Sequence, residues 1–175
     1  MSGRRDRSKE PASGADPAGP EGGSCAYPKA GLCNGTALRK ATRRVSQLYD
    51  CVLAPIGLKA TQRSLLVHIA RAGTPTMGEL SATLVLDRSA LGHNLRPLER
   101  DGLVELVADG KDRRSRRVVL TPLGRAKLDA SMVLWGQAQA RFEAVFGEAE
   151  AATLRAALER IASPEFAAAF EQQAR

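Results

Sequence analysis

Between Asp87 and Arg100 the side chains able to hydrogen-bond gather on one side of a helical wheel. Counting about 100° per residue from Leu91, Leu95 and Leu98 lie within roughly 40° of it, whereas Ser89, His93, Arg96 and Arg100 lie roughly 140–200° away. The first group is a stripe that packs. The second suits the base edges of a DNA major groove, because Arg pairs bidentately with guanine O6 and N7 while Ser and His donate or accept. Gly92, on the flank, lets a helix approach closely, and Arg88 near its start reaches a base edge or a phosphate. A solvated surface helix shows the same pattern, so the neighbouring segments decide.

The segment from Lys111 to Arg117 holds Lys111, Arg113, Arg114, Arg116 and Arg117 against the single acid Asp112. Such density suits phosphates and a narrow minor groove. On either side, Leu103 to Val107 and Arg116 to Leu120 are rich in Val and Leu at a period near 2, and Asp109-Gly110 between them is a turn signal, so the cations ride on a β-hairpin. Pro97 lies inside the helix that opens at Asp87. It removes a backbone donor and is expected to kink the helix, which places base contacts before it and leaves Arg100 to a phosphate.

Elements must hold these groups in place. Leu38, Ala41, Val45, Leu48 and Val52 form a helical stripe that ends at Pro55 and Gly57. A second helix is expected with Thr61 as N-cap, carrying Leu65, Leu66 and Ile69 to Gly73. Thr76 and Glu79 have the spacing of a capping box before Leu80 and Leu84. Asp87 then caps the next helix, and Gly102 ends it. Two capped helices this close predict a helix-turn-helix. Thr121 with Pro122 starts a further helix reaching about Phe146, with Leu128, Ser131/Met132, Trp135, Ala138/Gln139, Phe142 and Val145 on one side. After Gly147, a last helix holds Leu154, Leu158 and Ile161, and the stretch beyond Pro164 is a weaker helical candidate.

Composition agrees with one domain of about 130 to 145 residues behind a polar tail. Of 175 residues 43% are apolar and 26% charged, and the net charge of +7 favours a polyanionic partner. No stretch resembles a signal peptide or a membrane span, so the expected location is the cytoplasm. Cys25, Cys33 and Cys51 form no CxxC pair, and neither a metal site nor a cofactor is expected. No phosphate loop, HExxH or Ser/His/Asp set points to an enzyme.

The runs Glu79-Leu80-Ser81, Leu86-Asp87-Arg88-Ser89, Leu95-x-x-Leu98-Glu99-Arg100-Asp101-Gly102-Leu103-Val104 and Asp112-Arg113-Arg114 through Leu120-Thr121 resemble the helix-turn-helix and wing of MarR-family regulators (multiple antibiotic resistance regulator) over roughly residues 36 to 162. The resemblance implies a mainly α fold with a small β-hairpin wing. Its order is four helices, two strands and two helices, in a dimeric winged helix-turn-helix. Residues 1–33 mix Gly, Pro, Ser and charges without period and are expected to form a flexible tail, while the resemblance sets a MarR-like domain over 34–163 and leaves a C-terminal extension, 164–175. Within the domain, 61–121 is the DNA-binding lobe, and 34–57 with 122–163 are dimerisation helices. It further implies a pseudo-palindromic operator, Arg114 as the minor-groove arginine and Asp112 as its ion-pair buttress. Relatives of this kind respond to small aromatic acids or, in some cases, to cysteine oxidation. Tyr49, His68 and Trp135 are the candidate ligand-pocket residues. Cys33, beside Arg39 and Lys40, with Cys25 as resolving partner, is the redox candidate, and Cys51 is expected to pack. The expected function is a repressor released by a small aromatic ligand. The alternatives are a redox-sensing regulator of the same fold and a non-specific architectural DNA-binding protein.

Overall fold

The computed structural model of the protein describes residues 31–110, 112 and 115–173. The order is α1 (Asn34–Leu53), a 3-10 turn (Ala54–Ile56), α2 (Ala60–Ala72), α3 (Met77–Thr83), α4 (Arg88–Arg100), β1 (Val104–Ala108), β2 (Arg116–Leu120), α5 (Pro122–Phe146), α6 (Glu148–Ala162) and α7 (Pro164–Gln172). The weak candidate beyond Pro164 is thus a formed helix, α7, a seventh beyond the six expected. Ser163 starts it by accepting from the Phe166 amide at 3.2 Å. No helix among the described residues is long and apolar enough to cross a membrane.

The start of α2 differs from expectation. Thr61 lies inside the helix, and Lys59 occupies the N-cap position. The free amides there are satisfied from elsewhere: Asp50 of α1 accepts from the Ala60 amide at 2.6 Å, and Gln62 accepts from the Lys59 amide at 2.9 Å. A carboxylate on another helix replaces the local hydroxyl, which local spacing does not reveal.

The other caps follow their residue types. Thr76 accepts from the Glu79 amide at 3.1 Å while the Glu79 carboxylate accepts from the Thr76 amide at 2.7 Å. Asp87 accepts from the Ala90 amide at 2.7 Å. Gly102, at φ 67°, closes α4, and the Leu103 amide reaches back to the Leu98 carbonyl at 2.8 Å. Thr121 accepts from the Gly124 amide at 2.9 Å and donates to the Gly102 carbonyl at 2.7 Å, so one hydroxyl starts α5 and ties it to the end of α4. Gly124 lies where α5 crosses the chain before β1, and a Cβ there would collide with the Leu103 carbonyl oxygen.

One apolar cluster joins these pieces. Leu66, Ile69, Leu91 and Leu98 are fully buried, with Leu80, Leu95, Val104 and Val118 around them and Leu128 of α5 at the edge. Burial of each such side chain contributes about 1.5–3 kcal/mol, so the cluster fixes α2, α3, α4 and the hairpin as one unit. The strands pair antiparallel from Val104↔Leu120 to Ala108↔Arg116. Asp109-Gly110 therefore does not form a two-residue turn. It opens a seven-residue loop, 109–115, whose base is closed by the Asp109 amide donating to the Ser115 carbonyl at 3.1 Å.

Candidate nucleic-acid interface

Leu91, Leu95 and Leu98 anchor α4 by one side at 0–1% exposure, which leaves Ser89, His93 and Arg96 exposed on the other. A Cβ placed on Gly92 would meet nothing within 4 Å, so the flank of this face is open. Asn94 is also exposed and belongs beside His93, where together with Pro97, Arg100, Lys59 and Gln62 it lines a hollow against the start of α2. Asn94 was not singled out from the sequence, and the packing of α2 beside it shows that its edge is free.

α4 continues through Pro97: the Asp101 amide donates to the Pro97 carbonyl at 3.0 Å. The His93 carbonyl, on the open side, is the one that a residue-97 amide would otherwise serve. Arg100 is held in an ion pair with Asp101 at 2.9 Å, at the end of the helix farthest from Ser89. The Asp101 hydrogen bond, then its charge, raises the Arg100 pKa above the usual arginine value.

Arg88 turns toward α3, its guanidinium 3.4 Å from where a Cβ on Gly78 would sit. It shares a cleft of about 370 Å³ with Thr76, Asp112, Ser115 and Arg116, so the structure brings the start of α4 and the base of the wing to one place. Asp112 and Arg116 are exposed there. Lys111, Arg113 and Arg114 lie outside the described residues, as does the expected buttress of Asp112 on Arg114.

Arg117 departs from the reading of the loop as one basic surface. Its Nε pairs with Asp109 at 3.1 Å and its Nη1 donates to the Thr74 carbonyl at 2.7 Å, so its guanidinium is engaged within the protein. The hydrogen bond to Asp109 is the main reason that its pKa is raised.

The ligand-pocket candidates separate. Tyr49 and Trp135 line one hollow of about 300 Å³ between α1, α2 and α5, together with Arg63, Ser64, Val67 and Arg71. His68 points elsewhere, into a polar hollow with Thr74, Glu79 and Arg117. The reason is rotational: His68 follows Val67 by about 100° on α2, which turns it from α5 toward α3. The Tyr49 hydroxyl donates to Gln139 at 2.9 Å, and burial first, then the charge of Glu143, raises its pKa.

Arg63 was not anticipated from sequence. It is only 8% exposed, yet its Nε donates to Ser131 at 3.0 Å, its Nη2 lies 3.3 Å from the Met132 sulfur, and its guanidinium sits 4.7 Å from the Trp135 ring centre. No carboxylate among the described residues is within ion-pair distance of it. Burial, then the charge of Arg71, lowers its pKa from the usual arginine value. An arginine at a polar spacing on α2 reads as surface, and only the fold shows that it is enclosed.

Cys33 is exposed at the start of α1, where hydrogen bonding from the Thr36 side chain, then its backbone, holds the thiol below its ordinary pKa. Cys51 is exposed as well, not packed, because the stripe of α1 that faces α5 passes beside it. Cys25 lies outside the described residues.

Two short capped helices, an outward polar face on the second and an antiparallel hairpin beside it define a winged helix-turn-helix protein. Residues 56–115 match the family model described as MarR family. The chain is 34% identical over 121 residues to the transcriptional activatory protein BadR of Rhodopseudomonas palustris, a match spanning 62% of this chain and 66% of that protein. Among solved structures, the M. tuberculosis transcriptional regulator MosR in complex with DNA shares 38% identity at a TM-score of 0.62, over 73% of this chain and 97% of the other. A mutant of MarR from E. coli complexed with operator DNA shares 28% at a TM-score of 0.66, over 73% and 91%. The chain belongs to the MarR family.

Proposed function

We propose that the chain is a homodimeric, sequence-specific regulator that binds double-stranded DNA at a pseudo-palindromic operator, represses from it, and is released by a small anionic aromatic ligand. No catalytic step is assigned to it. The observation that carries the DNA reading is the exposed Ser89, His93 and Arg96 face, held outward by the buried Leu91, Leu95 and Leu98. The DNA-bound MosR and MarR structures are relatives that support it. Exposed Val133, Val145 and Phe146 on α5 suit burial against a second copy. Such a dimer spaces its half-sites about one helical turn, roughly 10 bp, apart.

Selection of bound sequences from random duplex DNA tests this. A two-fold-related motif is expected, and Arg96→Ala should then lose about 1–3 kcal/mol on that motif while relaxing its specificity. Enrichment of no sequence over competitor DNA would instead favour an architectural protein. A reporter driven from the selected site distinguishes repression, expected as lowered output, from activation.

Arg63 supports the ligand: a buried cation over an indole, with no acid partner among the described residues, suits a planar carboxylate. Aromatic carboxylates should lower DNA affinity in the wild type and not in Arg63→Met. The exposed Cys33, with its lowered pKa, favours a second reading, redox release. Persistent DNA binding with reduced thiols after mild peroxide would remove it.

A further inference from the structure

We infer that Arg117 is a positioning residue of the wing, whose guanidinium ties both ends of the loop 109–115 to the turn before α3 and so fixes the base of the wing relative to the α4 face. The inference rests on the DNA-binding reading above. Asp109 is the first residue after β1, Arg117 is the second residue of β2, and their ion pair at 3.1 Å bridges the entrance and exit of the loop. The same guanidinium donates to the Thr74 carbonyl at 2.7 Å. The backbone follows it: the Val118 amide donates to the Pro75 carbonyl at 2.8 Å, and Thr76 bridges Arg117.

The Thr74–Thr76 segment leads directly into α3, whose start is fixed by the Thr76 and Glu79 cap and whose Leu80 is 1% exposed in the core shared with α4. Hydrogen bonds thus run from the wing base to the start of α3, and apolar packing at Leu80 carries the link on to α4. Asp109 is only 8% exposed, whereas Arg116 next door is exposed. A residue contacting phosphate would keep its donors free, and Arg117 commits at least two to Asp109 and Thr74.

Charge and position predict opposite signs for one substitution. Asp109→Asn removes a negative charge from a basic loop, so electrostatics alone tightens DNA binding. Positioning weakens it. The test uses full-length protein and the duplex that the wild-type chain enriches from random sequence, read by gel shift together with thermal melting. Asp109→Asn and Arg117→Met should each weaken binding about tenfold, and the double variant no more than about tenfold, because coupled partners are not additive. Arg117→Lys keeps the charge but only part of the geometry, and should recover part of the loss. Both single variants should also lose the preference for A·T over G·C flanks that a wing in the minor groove confers, at temperatures where melting shows them folded.

Asp109→Asn binding as tightly as wild type or tighter, full rescue by Arg117→Lys, or additive losses in the double variant would overturn the inference and make Arg117 a plain phosphate contact. A wild-type chain that enriches no duplex overturns the DNA reading, and this inference with it.

Discussion

Val85 carries a cost that its side chain does not repay. It sits at φ 52° in the turn between α3 and α4, a conformation that a β-branched residue adopts only under strain, and it is 68% exposed. The Leu86 amide bonds the Ser81 carbonyl at 2.9 Å across it, so the turn imposes the angle. Val85→Asn should raise stability by about 1 kcal/mol, since Asn tolerates the left-handed region and no core contact is lost. A chemical denaturation midpoint that falls would contradict this. Strain at Val85 was invisible in sequence because Leu84-Val85-Leu86 has no Gly or Asn to mark a turn. The exposure of Ser89, His93 and Arg96 was readable because one period governs both burial and exposure on a single helix. The roles of Arg63 and Arg117 were not, because each is engaged by elements distant in sequence, α5 for one and the segment before α3 for the other.

α4 combines a working surface with a defect. Its polar face needs the helix to persist from Asp87 to Gly102, and Pro97 withholds the amide that the His93 carbonyl would accept. The helix survives because Leu95 and Leu98 are buried on either side of the proline and the Gly102 closure holds its end. Pro97→Ala should therefore stabilise the protein by about 1–3 kcal/mol, checked by thermal melting. Unchanged or lowered stability would mean that the helix is already adapted to the proline. At this scale the caps at Thr76, Asp87 and Thr121 and the stop at Gly102 were readable, being local hydrogen-bond arrangements. The cap of α2 was not, because its acceptor is Asp50 of another helix. The hairpin was readable as well: strands expected over Leu103–Val107 and Arg116–Leu120 form as Val104–Ala108 and Arg116–Leu120, because the switch to a period near 2 marks them locally.

At the scale of the whole molecule, the joint between α2, α3 and the hairpin makes the fold acid-sensitive. His68 of α2 faces Glu79 of α3 and Arg117 of β2 across one hollow, with Arg71 on its own helix. Burial first, and then the charge of Arg71, lowers its pKa from 6.5. The unfolded chain therefore takes up a proton that the folded chain resists, and stability rises with pH wherever the unfolded state binds more protons. The contribution is complete above 6.5 and is lost as pH falls through that value toward the lower folded one. Glu79 acts in the same direction further down: its hydrogen bonds to the Thr76 amide and hydroxyl hold its pKa below 4.5, so its contribution is present above 4.5 and lost as pH falls. Both groups lie where the wing meets the helix-turn-helix, so loss of stability on acidification should begin in that joint. Melting temperature should fall between about pH 7.5 and about pH 5.5, and His68→Gln, which cannot titrate, should flatten that fall. An equal fall in His68→Gln would place the sensitivity elsewhere, in the general repulsion of a chain already at +7.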